Sequence, residues 1–220
     1  TLRGYAELYR MGAVTGEDNI SGTFRRIEDE STRMQALVED LLRLARLDEQ
    51  RPLRLTSVDL LVLASDAEHD AVALAPDRQV RIRGLDGHPE PGSALVTGDE
   101  QQLRQVVTNL LANAIRHTPA GSAIELGVGT RGDFAVVQVV DHGAGVPPEL
   151  ADKIFERFYR ADASRARSSG GSGLGLAIVA AIMAVHHGDA RVLATPGGGA
   201  TFEVRLPVRR PLPATSQKGP

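Results

Sequence analysis

Two asparagines, Asn109 and Asn113, lie four residues apart in the segment "NLLANAIRHTP". The apolar residues around them recur at helical spacing, and residues four apart share one face of a helix. A carboxamide that is buried without a partner costs about 1–3 kcal/mol. The pair therefore either caps a neighbouring loop or faces a polar ligand. A side-chain amide oxygen is a hard donor that suits Mg²⁺, which proteins usually bind together with substrate phosphates.

An aspartate, Asp141, ends an apolar predicted strand in "VVDHGAGVPPEL" and is followed by Gly143 and Gly145. Glycine turns after strands are common and require no function. In the functional interpretation, the carboxylate accepts a hydrogen bond from an exocyclic amino group, and the glycines let a flat ring approach the backbone. Both interpretations remain open on this motif alone.

Three alternate glycines, Gly171, Gly173 and Gly175, precede an apolar helical segment in "SSGGSGLGLAIV". The spacing G-x-G-x-G differs from the dinucleotide fingerprint G-x-G-x-x-G, and no strand precedes it, which argues against a Rossmann site. A glycine-rich loop that leads into a helix start offers free backbone N–H groups to phosphate. The alternative is a flexible connection.

Aromatic and basic residues alternate in "IFERFYRADASRAR", where Phe155, Phe158 and Tyr159 are followed by Arg160. The simpler interpretation is a small hydrophobic anchor with solvated charges. Because polar and glycine-rich residues follow, the segment also fits the hinge of a mobile lid over residues 155–172. Arg160 is then able to reach a terminal phosphate.

The N-terminal part predicts an antiparallel helical hairpin. Apolar residues at spacings of three and four indicate a long amphipathic helix over residues 20–47, and residues 1–11 resemble the end of another helix. The wide apolar stripe has little sequence to cover it, so we expect a homodimer in which two hairpins form a four-helix bundle. A polar, proline-containing segment places the domain boundary near residues 51–56, with the hairpin over residues 1–52.

Beyond the boundary, the pattern alternates between helices and strands and predicts a mixed α/β sandwich over residues 56–208. The last residues, 209–220, are rich in proline, without periodicity, and are expected to be disordered. The predicted helices are 59–74, the asparagine helix from 99 and the apolar helix after Gly175, and the predicted strands are 79–83, 94–97, 122–130, 134–141 and a final hairpin within 190–207.

Composition excludes several classes of protein. The 220 residues carry a net charge of −3, with no basic stripe and few aromatic residues, which argues against nucleic-acid binding. The absence of cysteine excludes disulfide frameworks and thiol nucleophiles. The longest apolar run, residues 174–185, is shorter than the roughly 20 residues that a membrane helix requires. It is expected to be a buried helix.

Taken in order, these motifs resemble the ATP-binding domain of sensor histidine kinases, within the wider family of gyrase, chaperone and mismatch-repair ATPases. The resemblance covers residues 56 to about 207 and rests on "NLLANAIRHTP", "DHGAGVP", "FERFYR", "GGSGLGLAIV" and "GGGATFEVRLP". It implies a two-layer α/β sandwich with a mixed sheet, helices on one face and a Bergerat-type ATP site.

The resemblance also implies roles for individual residues. Asn113 is similar to the magnesium ligand, and Asn109, one turn earlier, faces the nucleotide. Arg116 stands where such kinases often have lysine near the phosphates. Asp141 matches the adenine-reading aspartate, with Thr201 as its helper. The residues expected around the base and the triphosphate are Gly143, Gly145, Arg160, Gly171, Gly173, Leu174 and Gly175; Asn109, Arg116 and Arg160 are expected to contribute to catalysis.

The class of reaction follows from what stands at position 109. ATP-hydrolysing members of the wider family have a water-activating glutamate there, so Asn109 favours phosphoryl transfer to a protein. One alternative is a serine kinase of the anti-sigma type, which shares the ATP site but lacks the hairpin and the "FERFYR" motif. The other alternative is an ATP-binding switch without transfer activity.

The segment "TLRGYAELYR" is similar to the sequence that follows the phosphoacceptor motif of these kinases. On that alignment the acceptor histidine lies about eight residues before Thr1, so the chain is expected to bind Mg²⁺–ATP without autophosphorylation. The resemblance further implies a response regulator as partner. It also implies the cytoplasmic portion of a membrane sensor, whose membrane contact lies outside this chain.

Overall fold

The computed structural model describes residues 2–13, 16–48, 52–159 and 173–208. Two predicted site residues, Arg160 and Gly171, lie outside these ranges, as do the predicted tail 209–220 and most of the predicted lid. The helices are α1 (Leu2–Arg10), α2 (Glu17–Asp48), α3 (Leu60–Leu74), α4 (Glu100–His117) and α5 (Gly175–Val185), and the strands are β1 (Leu55–Asp59), β2 (Gln79–Arg83), β3 (Leu95–Asp99), β4 (Ala123–Arg131), β5 (Phe134–Asp141), β6 (Asp189–Ala194) and β7 (Ala200–Pro207).

Helices α1 and α2 form the predicted hairpin. The rings of Tyr9 and Phe24 meet edge to face with their centroids 6.1 Å apart. Near its end, α2 packs against the rest of the molecule through Leu44, which is 2% exposed. Elsewhere on this helix a stripe of large apolar side chains is exposed, namely Phe24, Met34, Val38, Leu41 and Leu42.

The main sheet has five strands in the order β2-β4-β5-β7-β6, of which only the β2–β4 pair is parallel. Alternate residues of each strand point to one face. One face is apolar and forms the core with α3, α4 and α5, so the predicted mixed α/β sandwich is confirmed. Its buried members in the three central strands are Ile124, Leu126, Val128, Ala135, Val137, Val139, Phe202, Val204 and Leu206.

The opposite face of the sheet carries a buried charge network centred on Glu203, whose side chain has no exposed surface. Its carboxylate accepts hydrogen bonds from Gln138 and Arg131, at 2.9 Å each, and from Arg191. Burial raises the pKa of Glu203, but the hydrogen bonds from Gln138, Arg191 and Arg131 outweigh burial and leave the pKa below its ordinary value. The carboxylate is therefore held ionised.

A second, two-stranded sheet pairs β1 with β3 in antiparallel register, from Leu55 opposite Asp99 to Asp59 opposite Leu95. Strand β1 was not predicted, because its sequence "LTSVD" buries only Val58 and shows no alternation. Both strands end in a helix cap. The Asp59 carboxylate accepts from the Leu61 N–H at 3.0 Å, and the Asp99 carboxylate accepts from the Gln102 N–H at 3.2 Å.

Candidate functional site

Helix α4 places both asparagines beside its buried stripe. The stripe consists of Leu103, Val106, Val107, Leu110, Leu111 and Ala114, which pack toward the sheet. Asn109 and Asn113 follow one another on the flank of this stripe, and both side chains are half-buried. Arg116 is exposed at the end of the same helix. The predicted common face for the two carboxamides therefore exists in the structure.

The two asparagines differ in their hydrogen bonds. Asn109 Nδ2 donates to the Gly175 carbonyl at 3.1 Å, which ties α4 to the first residue of α5. Asn109 Oδ1 accepts from Gln105 Nε2 at 2.7 Å. Among the described residues, none forms a hydrogen bond with the Asn113 side chain. A half-buried amide oxygen of this kind fits a hard cation, so Asn113 suits the predicted magnesium position.

Asp141 ends β5 with a side chain that is buried. Its Oδ1 accepts from two backbone groups, the Gly143 N–H at 2.9 Å and the Ala200 N–H at 3.2 Å. Within the described ranges, no donor is bonded to the other carboxylate oxygen, Oδ2. The aspartate is thus fixed in orientation through one oxygen, and the second oxygen can accept a hydrogen bond from a ligand.

Three glycines allow the chain segments around Asp141 to close on one another. A Cβ on Gly143 would lie 2.7 Å from the carbonyl oxygen of His117, and one on Gly145 would lie 2.9 Å from that of Gly199. Gly199 has a φ of +109°, and a Cβ there would collide with the carbonyl oxygen of Asp141. Gly199 was not among the predicted site residues, although the run "GGG" at residues 197–199 is a usable signal.

The helper role predicted for Thr201 is not supported by its contacts. Thr201 stands opposite Val140 in the β5–β7 register, and its hydroxyl is 2.9 Å from the hydroxyl of Thr195. Successive side chains of a strand point to opposite faces, so Thr201 and Asp141 lie on different faces of the sheet. The group from β7 that assists Asp141 is instead the backbone N–H of Ala200.

The start of α5 is the part of the glycine motif that the structure describes. Gly173 has a φ of +72°, in the left-handed region that glycine favours. Leu174, at the N-cap position of α5, makes no side-chain cap hydrogen bond. Because the Leu174 side chain is fully buried, a contact of this residue with a ligand has to come from its backbone. The first backbone N–H groups of a helix can bind phosphate oxygens.

The aromatic motif is divided between core and surface. Phe155 packs against the core, as expected for an anchor. Phe158 is 57% exposed and has a φ of +63°, a conformation that is uncommon for a bulky side chain. Both residues belong to the predicted lid, residues 155–172: its first residue, Phe155, is anchored in the core, and Phe158 carries the backbone strain.

Comparison with known proteins identifies the family. Residues 98–210 match the family of histidine kinase-, DNA gyrase B- and HSP90-like ATPases. The chain belongs to this family. The matched residues contain all of the predicted site, from α4 to β7, and the family membership accounts for ATP as the ligand. Among the described helices, none is both long enough and apolar enough to cross a membrane.

The individual relatives are sensor kinases. The chain is 45% identical to the probable sensor histidine kinase TcrY of Mycobacterium tuberculosis over 208 residues, which cover 94% of this chain and 42% of TcrY. It is similar to the full-length structure of ShkA in complex with AMPPNP, with a TM-score of 0.73, 27% identity and coverage of 90% of this chain and 40% of ShkA. The mycobacterial sensor histidine kinase MprB gives a TM-score of 0.60 at 26% identity, covering 71% of this chain and 99% of that structure. The chain thus spans less than half the length of TcrY.

Proposed function

We propose that this chain is the catalytic portion of a sensor histidine kinase. It binds Mg²⁺–ATP between α4, the end of β5 and the start of α5, and it transfers the γ-phosphate to a histidine for relay to an aspartate of a response regulator. The observation that carries the proposal is Asp141, a buried carboxylate with one oxygen fixed by backbone N–H groups and the other free to accept from the adenine amino group.

The other groups around Asp141 bind the rest of the nucleotide. The backbone N–H groups at the start of α5 bind phosphate oxygens, and Asn113 holds the metal ion through its amide oxygen. When bound there, Mg²⁺ would supply positive charge that offsets the charge of the phosphates. Arg116 and Arg160 add positive charge near the phosphates. The likeness to ShkA, whose structure contains AMPPNP, supports a nucleotide at this place.

Transfer to a protein is favoured over hydrolysis by the chemistry of Asn109. A carboxamide has no basic lone pair with which to take a proton from water, so it cannot act as the general base. Both ends of its amide are engaged with Gln105 and Gly175. Asn109 therefore orients groups at the site. The reaction then depends on positioning and charge neutralisation, as phosphoryl transfer does.

The helical hairpin, residues 1–52, is proposed to form the dimerisation and phosphoacceptor unit, and residues 56–208 the ATP-binding domain. Support comes from the exposed apolar stripe on α2, which includes Met34, Val38 and Leu42. A second hairpin that covers this stripe removes it from water, which is the main stabilising term in such bundles. The stripe also favours a histidine kinase over the anti-sigma type of serine kinase.

Calorimetric titration with Mg²⁺ and a non-hydrolysable ATP analogue tests the site. Replacing Asp141 by Asn removes a charged acceptor, and loss of a hydrogen bond to a charged group weakens affinity by about 10–100-fold. The matched control is Asp189→Asn, the same change in a half-exposed ion pair with Arg205, which should leave affinity unchanged. Wild-type affinity in the Asp141→Asn variant would refute the assignment.

The class of reaction is tested with γ-labelled ATP and a polypeptide that carries the proposed acceptor histidine. Label that is labile in acid and stable in base identifies phosphohistidine and supports the proposal. Acid-stable label points to the serine kinase instead. Nucleotide binding without any label identifies an ATP-dependent switch.

A further inference from the structure

A cleft of about 770 Å³ lies between α2 of the hairpin and helices α4 and α5 of the ATP-binding domain. Arginines of α2 form one wall of the cleft, and glutamines of α4 form the opposite wall. Leu44 of α2 is buried beside it. The cleft is lined in part by the side chains of Arg43, Arg46 and Gln105.

A continuous chain of hydrogen bonds leads from this cleft into the proposed ATP site. The Arg43 guanidinium donates to Gln105 Oε1. Gln105 Nε2 donates to Asn109 Oδ1 at 2.7 Å, and Asn109 Nδ2 donates to the Gly175 carbonyl at 3.1 Å. Three hydrogen bonds thus connect α2 with the first residue of α5, through two residues of α4 that are four apart.

The direction of this chain is fixed at both ends. A guanidinium can only donate, and a backbone carbonyl can only accept. Gln105 must therefore present its oxygen to Arg43 and its NH₂ group to Asn109. Asn109 must present its oxygen to Gln105 and its NH₂ group to Gly175. Reversing either amide places like groups against each other at two contacts, so Arg43 and the Gly175 carbonyl together hold both amides in this orientation.

We propose that Arg43 and Gln105 are positioning residues for the ATP site, and that docking of α2 helps to hold the amide of Asn109 in its orientation through them. The inference rests on the proposed function, because Arg43 can affect ATP binding only if Asn109 lies on the nucleotide side of α4. With Arg43 docked, Asn109 presents its oxygen and its NH₂ group in fixed directions. With Arg43 withdrawn, the Gln105 oxygen loses its donor, and the Gly175 carbonyl alone holds the two amides, which leaves Gln105 freer to rotate.

Arg46 provides a matched comparison for the charge and the packing of Arg43. It lies on the same helix, lines the same cleft and is exposed, as Arg43 is. Within the described part of the chain, Arg46 forms no hydrogen bond with α4. A general effect of positive charge on nucleotide binding should therefore be similar at both arginines. An effect through the hydrogen-bond chain should be confined to Arg43.

The decisive experiment is a double-mutant cycle on nucleotide affinity. Met keeps an apolar stem and removes the donor, so Arg43→Met should weaken binding of Mg²⁺ and the ATP analogue by about threefold, the loss expected for one hydrogen bond. Arg43→Lys retains a donor and should restore affinity. Arg46→Met should have no effect. In a Gln105→Met background, Arg43→Met should cause no further loss, because the chain is already broken.

Equal effects of Arg43→Met and Arg46→Met, or additive effects of Arg43→Met and Gln105→Met, would overturn the inference. A second readout does not require nucleotide. The side-chain NH₂ resonance of Asn109 should shift in Arg43→Met and remain in place in Arg46→Met, and an unchanged resonance in Arg43→Met would also overturn it. If the wild-type chain binds no nucleotide, the proposed function fails, while this resonance still tests the hydrogen-bond chain.

Discussion

The buried network around Glu203 gives a prediction for stability that is independent of the ATP site. In Glu203→Gln, one carboxylate oxygen becomes an NH₂ group. Each carboxylate oxygen of Glu203 accepts two hydrogen bonds. Oε1 accepts both of its hydrogen bonds from Arg191, and Oε2 accepts one from Arg131 and one from Gln138. Whichever oxygen is replaced, the new NH₂ group faces two donors, and the negative charge between the two arginines is lost.

The magnitude follows from this geometry. Two lost hydrogen bonds to a charged group are worth about 3–6 kcal/mol before the surroundings adjust. The side chains of Arg131 and Arg191 are 42% and 39% exposed, so water can recover part of that loss. We expect the free energy of unfolding to fall by about 2–4 kcal/mol, which lowers Tm by about 5–15 °C for a domain of this size.

Urea and thermal unfolding followed by circular dichroism measure the effect. The control is Asp189→Asn, which breaks an ion pair whose side chains are 44% and 32% exposed. A half-exposed pair of this kind, which water reaches from both partners, contributes about 1 kcal/mol. Affinity for the ATP analogue should be unchanged in Glu203→Gln, because Glu203 lies on the face of the sheet opposite the helices. Equal stability of the two variants would refute the argument that burial makes the difference.

Three further predictions concern acid, a glycine and the metal. The pKa values of Glu203 and Asp86 lie below their ordinary 4.5 and 3.8, so both ionised groups stabilise the fold above those values. In urea unfolding, the free energy of unfolding should therefore fall as the pH drops below about 5, and it should fall less steeply in Glu203→Gln. Gly199→Ala forces a Cβ against Asp141 at a φ of +109°. Urea unfolding should show a free energy of unfolding that is lower by more than about 1 kcal/mol, and calorimetry should show weaker nucleotide binding. Asn113→Ala should abolish the gain in affinity that Mg²⁺ gives, while Mg²⁺-free nucleotide binds as before; a full magnesium effect in the variant would exclude Asn113 as the ligand.

Much of the fold is predictable because it depends on local patterns. The periodicity of apolar residues identified α2 and α4, and alternation identified β4 and β5. Strand β1 could not be identified, because it is stabilised by pairing with β3, about 40 residues away, and only one of its side chains is buried. Pairing between such distant segments does not require an alternation of apolar and polar residues in either one.

The site was predictable to the extent that single residues determine it. Asp141 could be found because it ends an apolar predicted strand within "DHGAGVP", one of the motifs that carry the family resemblance. The orientation of Thr201 depends on strand register, which was not known, and an error of one residue reverses the face. The link from Arg43 to Gln105 joins residues 62 apart. Such a contact depends on how two helices dock and has no local signature.

The two-stranded sheet has a mechanical consequence. Strands β1 and β3 pair over five residues and end in Asp59 and Asp99, the caps of α3 and α4. The Asp59 carboxylate also accepts from the Ala94 N–H at 3.1 Å, just before β3. Both helices therefore start from one rigid base, and neither can tilt alone without breaking strand pairs. Helices α3 and α4 should therefore move together as one unit. Asn109 and Asn113 would then keep the distance between them when α4 moves.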